Sequence, residues 1–367
     1  MANFSVATNF DPELLIGIGQ LNNQYSNQVV EVYGSLPTGI VGSGRAGREL
    51  PNITPDDLQD HIALAHDSGL KFSYLLNANA GIRLEEVDYV GSVRKEIGLL
   101  LDAGVDSLTI SDDSLIDLVR GEFPEMEVHL SVINGVSTVQ KVKEYADKGI
   151  KVITLNQHIV NRDLQVIEDL VRSAAGVELR LYANISCLDH CPLRNQHYQY
   201  ISSQSQSKSV SLPARPNPYL LGCALEYLNN PIEFLKSPFI RPEDINAYEQ
   251  LGLQTFKLSD RREPTPALIR LMQAYLSEEF HGNLFALLFR EGRKWTSSFT
   301  VAGLQDVPLP DIFIDNDELG RMQFLERIKS LQGDELDQFY REATLRTVKG
   351  ISSPQTKTFE RFISKYI

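Results

Sequence analysis

Three cysteines, Cys187, Cys191 and Cys223, are the only ones in a chain of 367 residues. All three fall in one stretch. It runs Asn184-Ile-Ser-Cys187-Leu-Asp-His190-Cys191-Pro-Leu-Arg194-Asn-Gln-His197 and resumes at Leu221-Gly222-Cys223. An odd number of cysteines makes no disulfide framework, whereas thiolates are soft ligands for iron and zinc. Three gathered thiols suit a 4Fe-4S cluster with one iron not bound by cysteine, or a zinc ion with one further ligand. His190, beside Cys191 in the chain, heads the candidates for the remaining position, with His197 and Asp189 as alternatives. An iron left without a protein ligand would be open to substrate as a Lewis acid.

The elements that must position these residues follow from hydrophobic patterning. Apolar, β-branched runs at Phe4–Thr8, Val29–Tyr33, Lys71–Leu76, Val105–Ile110, Met126–Ser131, Lys151–Leu155, Val177–Ala183 and Gln254–Leu258 read as strands. Amphipathic segments lie between them. One opens at Thr54-Pro55-Asp56-Asp57, with Thr as N-cap and Pro at the first helical position. Gly69, Gly104, Gly149, Gly176 and Gly252 stand just before strands, where helix C-caps fall. Eight such units predict an α/β fold, a TIM-type (β/α)8 barrel over residues 1–280, with a doubly wound open sheet as the alternative. The link after strand seven, residues 185–240, is far longer than an ordinary βα loop and carries the cysteines. Its polar run Ser202–Ser209 and the Pro213–Pro218 segment read as mobile. Residues 281–367 read as a C-terminal helical extension, with helical patterns in Leu319–Leu331 and Leu336–Thr347.

Chemistry in such a barrel collects at the C-terminal ends of the strands. Those positions include Asn77, Asp112, His158, Lys257 and Arg261. Asn77, Asp112 and Lys257 are the expected catalytic residues. Arg45, Arg48 and Arg261 are expected to bind an anionic group, with His158 contacting the substrate. Gly42-Ser-Gly44-Arg-Ala-Gly47 matches G-x-G-x-x-G, but Pro51 and the Thr54 cap separate it from the next helix, so no dinucleotide site is expected. There is no H-E-x-x-H and no G-x-S-x-G, so hydrolysis has no motif of its own.

The net charge of −13 argues against broad contact with nucleic acid, although Arg261-Arg262 or Arg293-Lys294 could form a local basic patch. No apolar run is long enough to span a bilayer, and the first residues lack the pattern of a secretory signal, so a cytoplasmic location is expected.

With these residues in view, the chain resembles the collagenase-like peptidase U32 family over roughly residues 29–262. The resemblance is carried in order by Tyr33-Gly34 through Arg45 and Arg48, Ala65-His66 with Gly69, and Leu76-Asn77. It continues through Ala103-Gly-Val-Asp106, Ile110-Ser-Asp112, His129-Leu-Ser131, Glu178 to Cys187, and Phe256-Lys257-Leu-Ser-Asp-Arg261, which is similar to the family's "FKiEGR". The resemblance implies a TIM-like barrel and, in many members, a 4Fe-4S cluster. Some members are peptidases. Others are oxygen-independent hydroxylases of transfer RNA, ribosomal RNA or the ubiquinone ring, with prephenate as oxygen donor.

The chain departs from the family in offering three cysteines where members with a cluster usually have four, and in Asn156-Gln157-His158-Ile159 where "REls" is usual. The expectation is therefore an iron–sulfur enzyme of the hydroxylase type, acting on a small anionic or aromatic metabolite with a prephenate-like donor. A U32-type peptidase, or a non-catalytic subunit of a hetero-oligomer, is the alternative; a homo-oligomer is also compatible.

Overall fold

The structure, a computed structural model, describes residues 1–174, 176–206, 216–289 and 308–367. Eight parallel strands close into a barrel in sequence order. They are β1 (Asn3–Ala7), β2 (Gln28–Gly34), β3 (Lys71–Leu76), β4 (Ser107–Ile110), β5 (Glu127–Leu130), β6 (Val152–Thr154), β7 (Glu178–Tyr182) and β8 (Thr255–Leu258). The ring shuts where Asn3–Val6 of β1 pair with Thr255–Leu258 of β8.

Helices α1 (Pro12–Gln24), α2 (Pro55–Asp67), α3 (Val87–Asp102), α4 (Asp113–Glu122), α5 (Val139–Asp147), α6 (Gln157–Val160) and α7 (Leu164–Ser173) connect the first seven strands. Side-chain caps start most of them, and Thr54 and Asp57 form a reciprocal capping box at α2. Between β7 and β8 lie α8 (Arg194–Ser203), α9 (Pro218–Asn229), α10 (Ile232–Lys236) and α11 (Ile245–Glu249). Helix α12 (Thr265–Ser277) follows β8 and packs beside α1.

Alternation along the strands divides the side chains into two sets. One set, including Phe4, Val32, Phe72, Leu108, Leu130, Ile153, Leu181 and Phe256, joins the large apolar core. The other fills the lumen and is polar: Ser5, Glu31, Ser73, Thr109, His129, Arg180 and Lys257 are all buried. Arg180 Nη1 donates to Glu31 Oε1 at 2.6 Å, and His129 Nε2 lies 2.7 Å from Glu127 Oε1. Burial would raise the Glu31 carboxyl, but Arg180, His129, Lys257 and the Ser5 hydroxyl outweigh it and hold the group at about 2. Above this layer Ala7, Tyr33 and Leu75, with Tyr182 against them, make a small apolar floor to the barrel mouth.

The extension packs on the side of the insertion. Arg162 of the α6–α7 turn donates from Nη1 to Tyr340 Oη at 3.2 Å and stacks over Phe239, while Lys236 of α10 reaches Asp337 at 3.0 Å. The expected helix Leu319–Leu331 is two helices, Asn316–Arg321 and Phe324–Ser330, because Gln323 between them takes a positive φ of 53°. Among the described residues, no helix is long and apolar enough to cross a membrane.

Candidate functional site

The end of β7 is tied to the end of β8 by one side chain. Asn184 accepts from Ser259 N at 2.8 Å through Oδ1 and donates to Ser259 O through Nδ2. The chain then passes through Cys187 and Cys191 into α8, while Cys223 lies on α9 among buried Leu220, Ala224 and Tyr227. All three cysteines line one pocket of about 960 Å³, together with Arg45, His158, Arg194 and His197. No disulfide joins them. The Cys191 thiol is pushed up by burial, although a backbone N–H opposes the shift, and the neighbouring Cys187 adds to it. Tyr227, fully buried, is raised first by burial and also feels both Cys187 and Cys223.

Helix α8 leads from this pocket across the barrel mouth to the loops after β2 and β3. Near its start Arg194 donates to Asn156 Oδ1 at 2.7 Å and to Val132 O at 2.8 Å. At its far end Ser202 Oγ accepts from Asn79 N at 3.1 Å, and Ser205 Oγ accepts from Ser43 N at 2.8 Å. Gln204 O accepts from Gly47 N at 3.1 Å, and Gln206 Nε2 donates to Ala80 O at 2.7 Å. The expectation of a mobile polar run is corrected for Ser202–Gln206: Ser202 and Ser205 are fully buried, and each hydroxyl serves a backbone group from a distant loop. Residues 207–215, with most of the expected mobile segment, and Arg293-Lys294 lie outside the described residues.

Beneath α8, a second pocket of about 530 Å³ opens on the barrel axis. It shares Arg45, Ile185, Tyr198, Ser259 and Asp260 with the cysteine pocket, so the two adjoin. Tyr33, Leu75 and Tyr182 form its floor, and Asn77, Gln157 and Arg261 its sides. Gly44 brings the Arg45 loop against Asn77: its N–H donates to Asn77 Oδ1 at 2.8 Å, and a Cβ there would stand 3.1 Å from Ile133.

The guanidinium groups here differ in their partners. Arg262 is bound to Asp260 and Glu49, both at 2.6 Å, and Asp260 also holds Arg45 more loosely at 3.5 Å. Arg261 is 4% exposed and donates only to the hydroxyls of Ser35 and Ser43, with no carboxylate in ion-pair contact among the described residues. Burial, and then Arg45, pull it down to about 10. Arg261-Arg262 is therefore no surface patch; both side chains are built into the mouth.

The other expected site residues divide. Arg45, Asn77 and Arg261 meet at the axial pocket, and His158 lines the cysteine pocket with its Nδ1 buried and without a hydrogen-bond partner among the described residues. Arg48 sits on a short 3-10 turn, Gly47–Glu49, and lines neither pocket. Asp112 is the N-cap of α4, accepting from Leu115 N at 2.9 Å, and also lies outside both. Lys257 is in the lumen below the floor, its Nζ 4.2 Å from the centroid of the Tyr33 ring, and burial draws it down to about 8. His190 is 74% exposed and faces a different groove, so of the expected fourth ligands His197 is the one on the cysteine pocket. Among the described residues, no three His, Cys, Asp or Glu side chains are grouped as a single metal ion would require. The aromatic floor went unnoticed in the sequence, whereas Asp260 and Gln157 stand among the polar residues at the strand ends without an assigned role. The parity of β2 and β7, which sets Tyr33 and Tyr182 on the lumen side, was the available signal for the floor.

The sequence pattern of peptidase family U32 matches residues 19–183. An uncharacterized protease of Methanocaldococcus jannaschii is 32% identical over 273 residues, which cover 73% of this chain and 78% of that protein. The tRNA hydroxylation protein P of Escherichia coli is 28% identical over 180 residues, 48% of this chain and 36% of that protein. Among solved structures, the U32 peptidase Mk0906 superposes with a TM-score of 0.53 at 19% identity, covering 72% of this chain and 95% of the other. The closed barrel, the cysteine pocket beside its mouth and these likenesses agree: the chain belongs to peptidase family U32.

Proposed function

We propose that the protein is an iron–sulfur enzyme of the oxygen-independent hydroxylase type that takes a small anionic, aromatic molecule at the barrel mouth. The observation that carries this reading is the adjacency of two unlike pockets. One is lined by every thiol of the chain, and the other by a buried guanidinium with no carboxylate in ion-pair contact among the described residues. Arginines outnumber carboxylates at this mouth, and buried cations in excess are costly unless an anion joins them, so Arg261 with Arg45 favours a carboxylate ligand. Tyr33, Tyr182 and Tyr198 line the pocket and would pack against the ligand's apolar part.

Cys187, Cys191 and Cys223 would hold the cluster, with His197 or His158 at hand for a fourth position. Three soft thiols on one pocket are the support for a cluster, with a zinc ion as the alternative. When bound, the cluster would supply redox or Lewis-acid chemistry. The chain's own residues would bind and orient: Arg45 and Arg261 fix the anion, Asn77 holds the Gly44–Arg45 turn, and α8 shuts bulk water out of the mouth.

The relative named for tRNA hydroxylation supports the reaction class. The net charge of −13 favours a small molecule over RNA, and a cytoplasmic setting accords with reduced thiols.

Anaerobic reconstitution with iron and sulfide tests the reading. The expected product is brown and holds about four irons per chain, and Cys187→Ala or Cys223→Ala loses most of that iron. A colourless, iron-free chain would refute it. The relative named as a protease favours a second reading, peptide hydrolysis; cleavage that persists in Cys187→Ala and under chelation would select it.

A further inference from the structure

One polar side chain at the mouth has no use in the folded chain. Gln157 is 1% exposed, yet its side-chain amide makes no hydrogen bond among the described residues, and Oε1 is wholly buried. It opens the short helix α6, whose turn is fixed by Asn156: Oδ1 accepts from His158 N at 3.3 Å and from Arg194 Nη1 at 2.7 Å. Consecutive residues of a helical turn point about 100° apart. Gln157 accordingly lines the axial pocket while His158 lines the cysteine pocket. Buried amides are almost always paired, and apolar residues of the same size fill such positions at less cost. An unpaired amide held beside Arg45 and Arg261 is therefore suited to a ligand that brings the missing partner.

We propose that Gln157 is a specificity-determining residue that reads a neutral hydrogen-bonding group, a hydroxyl in the first instance, on the anion held by Arg45 and Arg261. The ligand class narrows from small aromatic acids to hydroxylated ones. A hydroxyl matches the amide whichever way the amide is turned, because it can both donate and accept. An acid without one would leave Gln157 buried and unpaired, and a site built to pair a group rejects analogues lacking it. The inference rests on the reading that the mouth takes an anion, and the test separates the two.

The probes are benzoate and its 2-, 3- and 4-hydroxy derivatives, titrated calorimetrically against the full chain. One hydroxybenzoate is expected to bind about tenfold tighter than benzoate. Gln157→Leu should abolish that preference while leaving benzoate affinity within about twofold. Gln157→Glu, which sets a second negative charge beside the ligand, should weaken all four acids by more than tenfold. No preference in the wild type, or a preference that survives Gln157→Leu, would overturn the role of Gln157 while the anion site stands. If none of the acids binds, or if Arg261→Met binds them as well as the wild type does, the anion site itself falls and the inference with it.

Discussion

The lumen of the barrel and its mouth both bury charge, and they treat it in opposite ways. In the lumen most strong charges meet another, Lys257 being the exception, with its Nζ over the Tyr33 ring and no carboxylate in ion-pair contact among the described residues. Glu31 faces Arg180 and His129, Arg180 also reaches Glu178, and His129 reaches Glu127. One layer higher, and among the described residues, Arg261 hydrogen-bonds only to serine hydroxyls, Arg45 shares a carboxylate already held by Arg262, and Gln157 and His158 keep unpaired atoms. Paired burial fixes a structure; unpaired burial costs stability and is kept where a ligand completes it. The boundary between the two regions is the floor of Ala7, Tyr33 and Leu75.

The sharpest way to break the comparison is to unpair the lumen. Arg180→Met leaves Glu31 buried without its main counter-charge and is expected to cost about 3–5 kcal/mol in urea unfolding. A loss under 1 kcal/mol would mean that the lumen is no more dependent on pairing than the mouth.

Acid offers a graded version. The Glu31 carboxyl is held at about 2, below its ordinary 4.5. Its contribution is therefore fully present above 4.5 and is lost as the pH falls from there through about 2, because the unfolded chain takes up the proton first. Unfolding free energy measured across that window should fall by a few kcal/mol, and Glu31→Gln should flatten the part of the slope that belongs to this group.

At the mouth the sign reverses. Arg261→Met removes a cation that has no carboxylate in ion-pair contact among the described residues, so the ligand-free protein should gain about 1 kcal/mol, read as a higher melting temperature. A clear loss instead would assign Arg261 to the fold and erase the contrast.

How far the sequence could lead is visible at single residues. The strands and their glycine stops were legible because period-two alternation and C-caps are local properties. The meeting of three cysteines was legible because no others exist. Lys257 was assigned to the mouth because it stands near the C-terminal end of its strand, yet its strand parity puts it in the lumen with Glu31 and Arg180. Asp112 was legible as polar but not as a helix cap rather than a catalytic acid. Ser202–Gln206 looked like solvent-loving chain. The backbone groups that its hydroxyls satisfy come from residues 123 and 162 positions away, which no local pattern reveals. Gln157 was legible as a polar residue at the end of a strand but not as an unpaired one, since a missing partner is a property of the whole fold.

The charge of the mouth bears on how a ligand gets there. Four guanidinium groups, Arg45, Arg194, Arg261 and Arg262, line the two pockets with two carboxylates, Asp260 and Glu49, inside a chain whose net charge is −13. Local attraction and global repulsion thus act on the same anion at different ranges. Salt screens charges beyond about 8 Å at physiological strength, which trims the distant repulsion more than the contact attraction. Arrival of an acid is therefore opposed along most of its path and favoured only over the last few ångströms. Added salt speeds the approach until it begins to compete for the arginines themselves.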